Sequence, residues 1–239
     1  MQATKFEFEH RFWIIAAIFA IGFALSAVDI SAIAALQHLI APAIKPGSPS
    51  AAMFAHGVVG FGTLLLAAAA MVRTWGSAYL RTEVVHDTNQ HTESLVADGP
   101  FRFTRNPLYF ANLPMAAGIG LLASRAGWFF MLAGNWLFVY RLIFREEAAL
   151  RRTQGESYLA YCRAVPRFWP ALTPRVPASG RRPGWGQAFV GEMFTWLFAI
   201  AELVIAITLN ATAGLVVFGI GFAAHFASVP LLRWFSRSR

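Results

Sequence analysis

Residues 52–72 read AMFAHGVVGFGTLLLAAAAMV, with no Asp, Glu, Lys or Arg before Arg73. A membrane-crossing helix needs about 20 mostly apolar residues, and this run supplies them. Working outward, five more stretches share its character: 12–36, 108–124, 126–143, 186–209 and 212–232. The pair 108–124 and 126–143 is short and divided only by Ser124-Arg125, which predicts a tight helical hairpin turning at the far membrane face. Hydrophobic residues are 57% of the 239, charged residues 13%, and mean hydropathy is +0.51. A soluble domain is about 25% charged, so the chain is read as an all-α, polytopic membrane bundle of about six transmembrane helices. The same composition excludes disorder. Cys162, the one cysteine, excludes an internal disulfide framework and a multi-cysteine metal site, and no metal is expected.

The placement of charge gives the orientation. With the N-terminus cytoplasmic, all of the 20 Lys and Arg except Lys45 and Arg125 fall in the N-terminal arm, 73–107, 141–185 and 233–239. This agrees with the positive-inside rule. It predicts a multi-pass protein, of the bacterial inner-membrane kind, with both termini and both long loops cytoplasmic. The net charge of +8 then reflects topology and contact with anionic headgroups, and a nucleic-acid partner is not expected. Lys5, Glu7, Glu9 and Arg11 precede the first span, and no small-residue cleavage site follows it, so that span is read as retained.

The cytoplasmic segments gather reactive side chains. Glu83, His86, Asp87, His91, Glu93, Asp98, Arg102 and Arg105 lie in 81–107; Arg141, Arg145, Glu146, Glu147, Tyr158, Tyr161 and Arg167 lie in 141–170. The hairpin between them brings their ends together. Asn106-Pro107 reads as an N-cap and first helical residue. It is either plain helix punctuation or an anion site built from free N–H groups and the helix dipole. Glu146 and Glu147 point about 100° apart on a helix, so one can face solvent while the other faces a site. Glu147 can also pair with Arg151 four residues on, and the helix is expected to end near Gly155. Tyr158 and Tyr161 share a face, as an interfacial belt or as a lid. Asp29, Glu192 and Glu202 fall within apolar spans and are functional candidates on that ground, although Glu192 is close enough to the interface to snorkel.

Four pieces in order carry a resemblance: Asp98-Gly99-Pro100-Phe101-Arg102-Phe103-Thr104-Arg105-Asn106-Pro107-Leu108-Tyr109; Glu146-Glu147-Ala148-Ala149-Leu150; Gly155-Glu156-Ser157-Tyr158-Leu159-Ala160-Tyr161; and Pro166-Arg167-Phe168-Trp169-Pro170. Together with Arg73-Thr74-Trp75-Gly76 they resemble the integral-membrane isoprenylcysteine carboxyl methyltransferase and phospholipid methyltransferase superfamily. The resemblance covers 55–172. It divides the chain into a core, 1–172, a linker, 173–185, and a C-terminal pair of helices, 186–239. It implies S-adenosylmethionine as cofactor in a cytoplasm-facing pocket. The cofactor residues it nominates are Leu95, Val96, Gly99, Phe101, Arg105, Asn106, Pro107, Leu108, Tyr109, Glu147 and Tyr158, with His86 and Glu93 more loosely. Glu146, Arg167 and Arg141 are nominated at the acceptor end.

Two departures matter. Asn106 stands where the eukaryotic enzymes have histidine. Leu142 stands where the prenylcysteine branch has a substrate-binding arginine, with Arg141 next to it. The activity implied is methylation of a lipid-like or prenyl-linked acceptor, with O-methylation of a carboxylate first and phospholipid N-methylation as the alternative. N-methylation needs a base, for which Glu146, Glu147 or His91 are available. An apolar acceptor is expected to enter from the bilayer between helices and the cofactor from the cytosol. Readings of another class are an NADPH-dependent membrane reductase and a small transporter.

Overall fold

The computed structural model describes residues 2–80 and 97–237, with side chains described as far as 227. Among them every regular element is helical: α1 (Lys5–Glu9), α2 (Arg11–Ala24), α3 (Ala32–Ile40), α4 (Pro49–Tyr79), α5 (Pro107–Gly120), α6 (Arg125–Ala164), α7 (Trp185–Gly191), α8 (Met193–Thr208) and α9 (Ala211–Arg237). Each of the six apolar stretches is therefore helical. Only α4, of 31 residues, and α6, of 40, are long and apolar enough to cross a membrane alone, with α7 and α8 adding one span bent by 63°. Arg11–Ala27 and Ala211–Ala227 are shorter apolar helices. α2 packs on α6, α6 on α5, α5 on α4, α4 on α8 and α8 on α9.

The stretch 12–36, expected as one span, is two helices. α2 ends at Ala24, a 3-10 turn covers Leu25–Ala27, and Ser31 caps α3 by accepting from the Ala34 N–H. The cause is at the far end of the hairpin. Asp29 Oδ2 accepts from the Ala126 N–H at 2.7 Å, and Oδ1 takes Arg125 at 3.0 Å. Ser26 Oγ accepts from the Ser124 N–H, and the Ala32 N–H donates to the Ala123 carbonyl. Asp29 is therefore a paired acid, not an isolated one on an apolar helix face. It sits at a helix N-terminus, and the Ala126 N–H, with Arg125, holds its carboxyl below the usual range.

The hairpin turns at Ser124 as expected, with Ser124 Oγ accepting from the Gly127 N–H. α6 runs past the bilayer and changes direction at Gly155, whose φ of 52° and ψ of −129° fall where only glycine is at ease. The segment expected as a linker is fastened down. The Ala171 N–H donates to the Phe103 carbonyl, the Arg175 N–H to Arg102 and the Gly184 N–H to Ala78, while Asp98 takes the Ser179 hydroxyl and the N–H groups of Ser179 and Arg181. Glu192 does not snorkel: it is 2% exposed. Arg73 grips it through Nε at 2.6 Å and Nη2 at 3.2 Å, and Ser77 Oγ donates at 2.7 Å. Arg73 Nη1 also reaches Asn112 Oδ1 at 3.1 Å, which ties α4, α5 and the start of α8 into one polar knot.

Candidate active site

The site is built where the loop before α5 meets the end of α6. The Arg105 N–H donates to the Pro166 carbonyl at 2.9 Å, and Thr104 Oγ1 donates to Phe168 O at 2.9 Å. Tyr161 OH donates to Phe101 O at 2.6 Å. These bonds lay 101–106 along 165–171, so two motifs 60 residues apart become one wall. Gly99 lets the wall close: its φ is 56°, and a Cβ there would collide with the Tyr79 ring. Tyr158, 1% exposed, packs with Tyr161 and Val165, and Phe101 is 9% exposed. Leu108 sits against Gly76 of α4, and Pro107 is buried at the first position of α5.

Asn106 precedes α5 without capping it. Its side-chain N–H groups instead reach Glu147 Oε1 at 3.3 Å and the Arg167 carbonyl at 2.9 Å. The first turn of α5 is left with no side-chain cap, which is an anion-favouring arrangement. Glu147, 2% exposed, is the hub. Arg167 Nε donates to Oε2 at 3.0 Å. Arg105 Nε lies 3.2 Å from Oε1 without hydrogen-bond alignment, so the attraction there is charge on charge. Arg151 stands at 3.7 Å. Three guanidiniums around one carboxylate leave an excess of positive charge beside the uncapped helix.

Glu146 looks the other way, and it too points inward. Tyr109 OH donates to its Oε1 at 2.6 Å, and the charge of Arg11 acts on it. Arg141 is held by α1: its Nη2 donates to both oxygens of Glu7, at 2.9 and 2.8 Å, while the Ala3 N–H donates to the Arg141 carbonyl. Arg145 donates to the Ala3 carbonyl and lies over the Phe8 ring. The Arg141 guanidinium and the Thr4 N–H pull the Glu7 carboxyl from its ordinary 4.5 down to about 2. Leu142, fully buried, is core.

The N-terminal arm is the part of the site that motif reading missed. Thr4 and Glu7 form a capping box, the signature that marks a short helix start in sequence. Glu83, His86, Asp87, His91, Glu93, Leu95 and Val96 lie outside the described residues. On the bilayer side, Leu113, Leu132, Ala133, Trp136 and Leu137 line an apolar cavity of about 430 Å³ between α5 and α6. Trp136, one of the lining residues, meets Phe168 at 5.3 Å.

Residues 58–157, which hold Asn106 and both glutamates, match the phospholipid methyltransferase family. That stretch, less than half of the chain, is similar to the family, which is one of the isoprenylcysteine carboxyl methyltransferase-like group of integral-membrane methyltransferases. Over 112 residues the chain is 26% identical to the cobalt-zinc-cadmium resistance protein CzcN of Cupriavidus metallidurans, covering 47% of this chain and 49% of that protein. The chain thus spans about half the length of this curated relative. No solved structure matches. Glu7, Arg167 and Glu192 lie outside the phospholipid methyltransferase match, although each touches it.

Proposed function

We propose that this chain transfers a methyl group from S-adenosylmethionine to a lipid-like acceptor at the membrane surface, with site and termini on the cytoplasmic side. The observation that carries the reading is the meeting of Asn106 with Glu147 at 3.3 Å, beside Arg105 and the uncapped start of α5. The cofactor carries a carboxylate, an ammonium and a sulfonium. Its carboxylate fits the guanidinium excess and the free N–H groups of α5, and its cations fit carboxylates of the site. When bound it supplies an electrophilic methyl group for in-line displacement.

The chain's own residues do the rest. Arg105, Arg151 and Arg167 hold the anionic end. Asn106 and Glu147 fix the loop 101–106 against 165–171, so that the reacting groups meet at the short separation such a transfer requires. The open apolar groove between α5 and α6, lined by Leu113, Leu132, Ala133, Trp136 and Leu137, supports entry of an apolar tail there.

The acceptor end supports an amine over a carboxylate. Arg141, expected to take an acceptor carboxylate, is chelated by Glu7. The α6 side chain this reading assigns to the acceptor end is Glu146, which accepts from the Tyr109 phenol. An acceptor carboxylate beside Glu146 is repelled, whereas an amine can give Glu146 the proton it must lose before attack. The test is a labelled methyl-donor assay on purified protein in nanodiscs containing phosphatidylethanolamine. Saturable S-adenosylhomocysteine binding, lost in Asn106→Ala, and base-stable label in lipid are expected. No binding in folded protein refutes methyl transfer, and base-labile label refutes the amine.

A further inference from the structure

α4 and α8 run antiparallel and exchange polar contacts at successive depths. At the active-site end Arg73 and Ser77 hold Glu192, and Trp196 Nε1 donates to Thr74 Oγ1 at 2.9 Å. Near the opposite end His56 Nδ1 donates to the Ala206 carbonyl at 2.6 Å. Between them lies Glu202, 2% exposed, with both carboxyl oxygens lacking a hydrogen-bond partner among the described residues. A buried polar group left in this state costs a few kcal/mol, and a bare charge far more.

The place it occupies is shaped for it. A Cβ on Gly62 would collide with Glu202 Oε1, and one on Gly118 would stand 2.6 Å from the Gly62 carbonyl. The cradle between α4, α5 and α8 exists because neither helix carries a side chain there. Toward the active site it is shut: Leu66, Ala69 and Ala70 are fully buried, and Ala199 is 4% exposed. Toward the other face lies one polar contact, between His56 and Ala206. Ala206 is one turn along α8 from Glu202, and the His56 that binds its carbonyl is exposed. A carbonyl only accepts, so Nδ1 carries the hydrogen and Nε2 presents a lone pair.

We propose that Glu202 is a proton-binding site within the bilayer, loaded by way of His56 from the face opposite the active site and sealed from that site by Leu66, Ala69 and Ala70. It stands independently of methyl transfer. Loading forms one O–H bond on Glu202; the proton comes from solvent at the opposite face, and His56 ends as it began. Among the described residues α4 presents His56 to this region, α5 presents Gly118 and Leu121, and α9 meets this stretch of α8 at Gly214. Among the described residues no charged side chain bonds to the carboxyl. Losing the proton sets an unpaired charge in the glycine cradle, which admits water or separates α8 from α4.

The test uses the full chain in sealed proteoliposomes of known orientation and a hydrophobic carbodiimide, which adds only to the protonated acid, with labelled peptides identified by mass spectrometry. Glu202 is expected to label, with yield falling at least about tenfold as the pH is raised from mildly acidic to alkaline. The yield should follow the pH of the face opposite the active site and ignore the other. Glu202→Gln should remove the label, and His56→Phe should slow its response to a pH jump. Unlabelled Glu202, a pH-independent yield, or equal response to both faces overturns the proposal. Protection by sodium chloride at constant pH overturns it in favour of a metal-cation site.

Discussion

Replacing Glu147 with glutamine keeps the shape of the side chain and removes the charge on which the active-site wall closes. At 3.2 Å and an effective dielectric of about 20, the Arg105–Glu147 attraction is on the order of 5 kcal/mol before desolvation is subtracted. Both side chains are shielded, at 8% and 3% exposed, so solvent does little to screen them. Arg167 is 34% exposed and Arg151 47%, so each adds no more than about 1 kcal/mol. Without Glu147, Arg105 is left buried and unpaired among like charges, a change that typically costs about 3 kcal/mol or more. The expected loss is therefore about 3 kcal/mol, roughly a hundredfold in the equilibrium constant. Denaturant titration in nanodiscs is followed by fluorescence of Trp136 and Trp169, which pack on Phe168 beside the cluster. Adding Arg105→Gln should recover about 2 kcal/mol of the loss, since the two residues share the interaction. If the single variants instead add to within about 0.5 kcal/mol, the buried pair is not what holds the wall, and the account of Glu147 fails.

The N-terminal arm should respond to acid. The Glu7 carboxyl is held at about 2 against an ordinary 4.5, so its contribution is complete above the ordinary value and lost as pH falls through the folded one. Hydrogen exchange of Ala3–Arg11 should rise across that window, and Glu7→Gln should show the released arm at neutral pH. Asp98 behaves with the same sign. The Ser179 hydroxyl, then the N–H groups of Ser179 and Arg181, hold its carboxyl below the usual range, so Asp98→Asn should raise proteolysis within 173–184 at neutral pH and acidification should do so in the parent. Gly155→Ala should cost about 1–3 kcal/mol, since the backbone conformation excludes a side chain although nothing surrounds the position; an unchanged midpoint refutes this. Glu192→Ala leaves Arg73 unpaired and should cost about 3 kcal/mol. Arg73→Met with Glu192→Leu should restore much of it, and no restoration argues against a buried pair.

Much of the fold was legible because apolar length is a local property. The six stretches, the hairpin turn at Ser124-Arg125, the start of α5 at Pro107 and the break at Gly155 all follow from residues within a turn or two of the position. What failed locally did so because a distant partner intervened. The stretch 12–36 is uniformly apolar except near Asp29, and it breaks there because the Ala126 N–H and Arg125, far along the chain, bind that carboxylate. Glu192 lies near a span end, where snorkelling is the local expectation, but Arg73 brings it inside. In the site, the meeting of the Asn106 and Glu147 motifs was foreseeable from the hairpin. That Asn106 would bind Glu147 and leave the helix uncapped was not.

The amino-acid order alone, through runs of apolar residues and glycine or proline punctuation, determined that this is a helical membrane protein. Those signals act along the chain and need no partner. Tertiary structure decided which charges answer one another: Glu7 on Arg141, three arginines on Glu147, Arg73 on Glu192 and, among the described residues, none on Glu202. Ionic pairing in a shielded interior depends on separations of a few ångströms between residues remote in sequence, and only packing sets those.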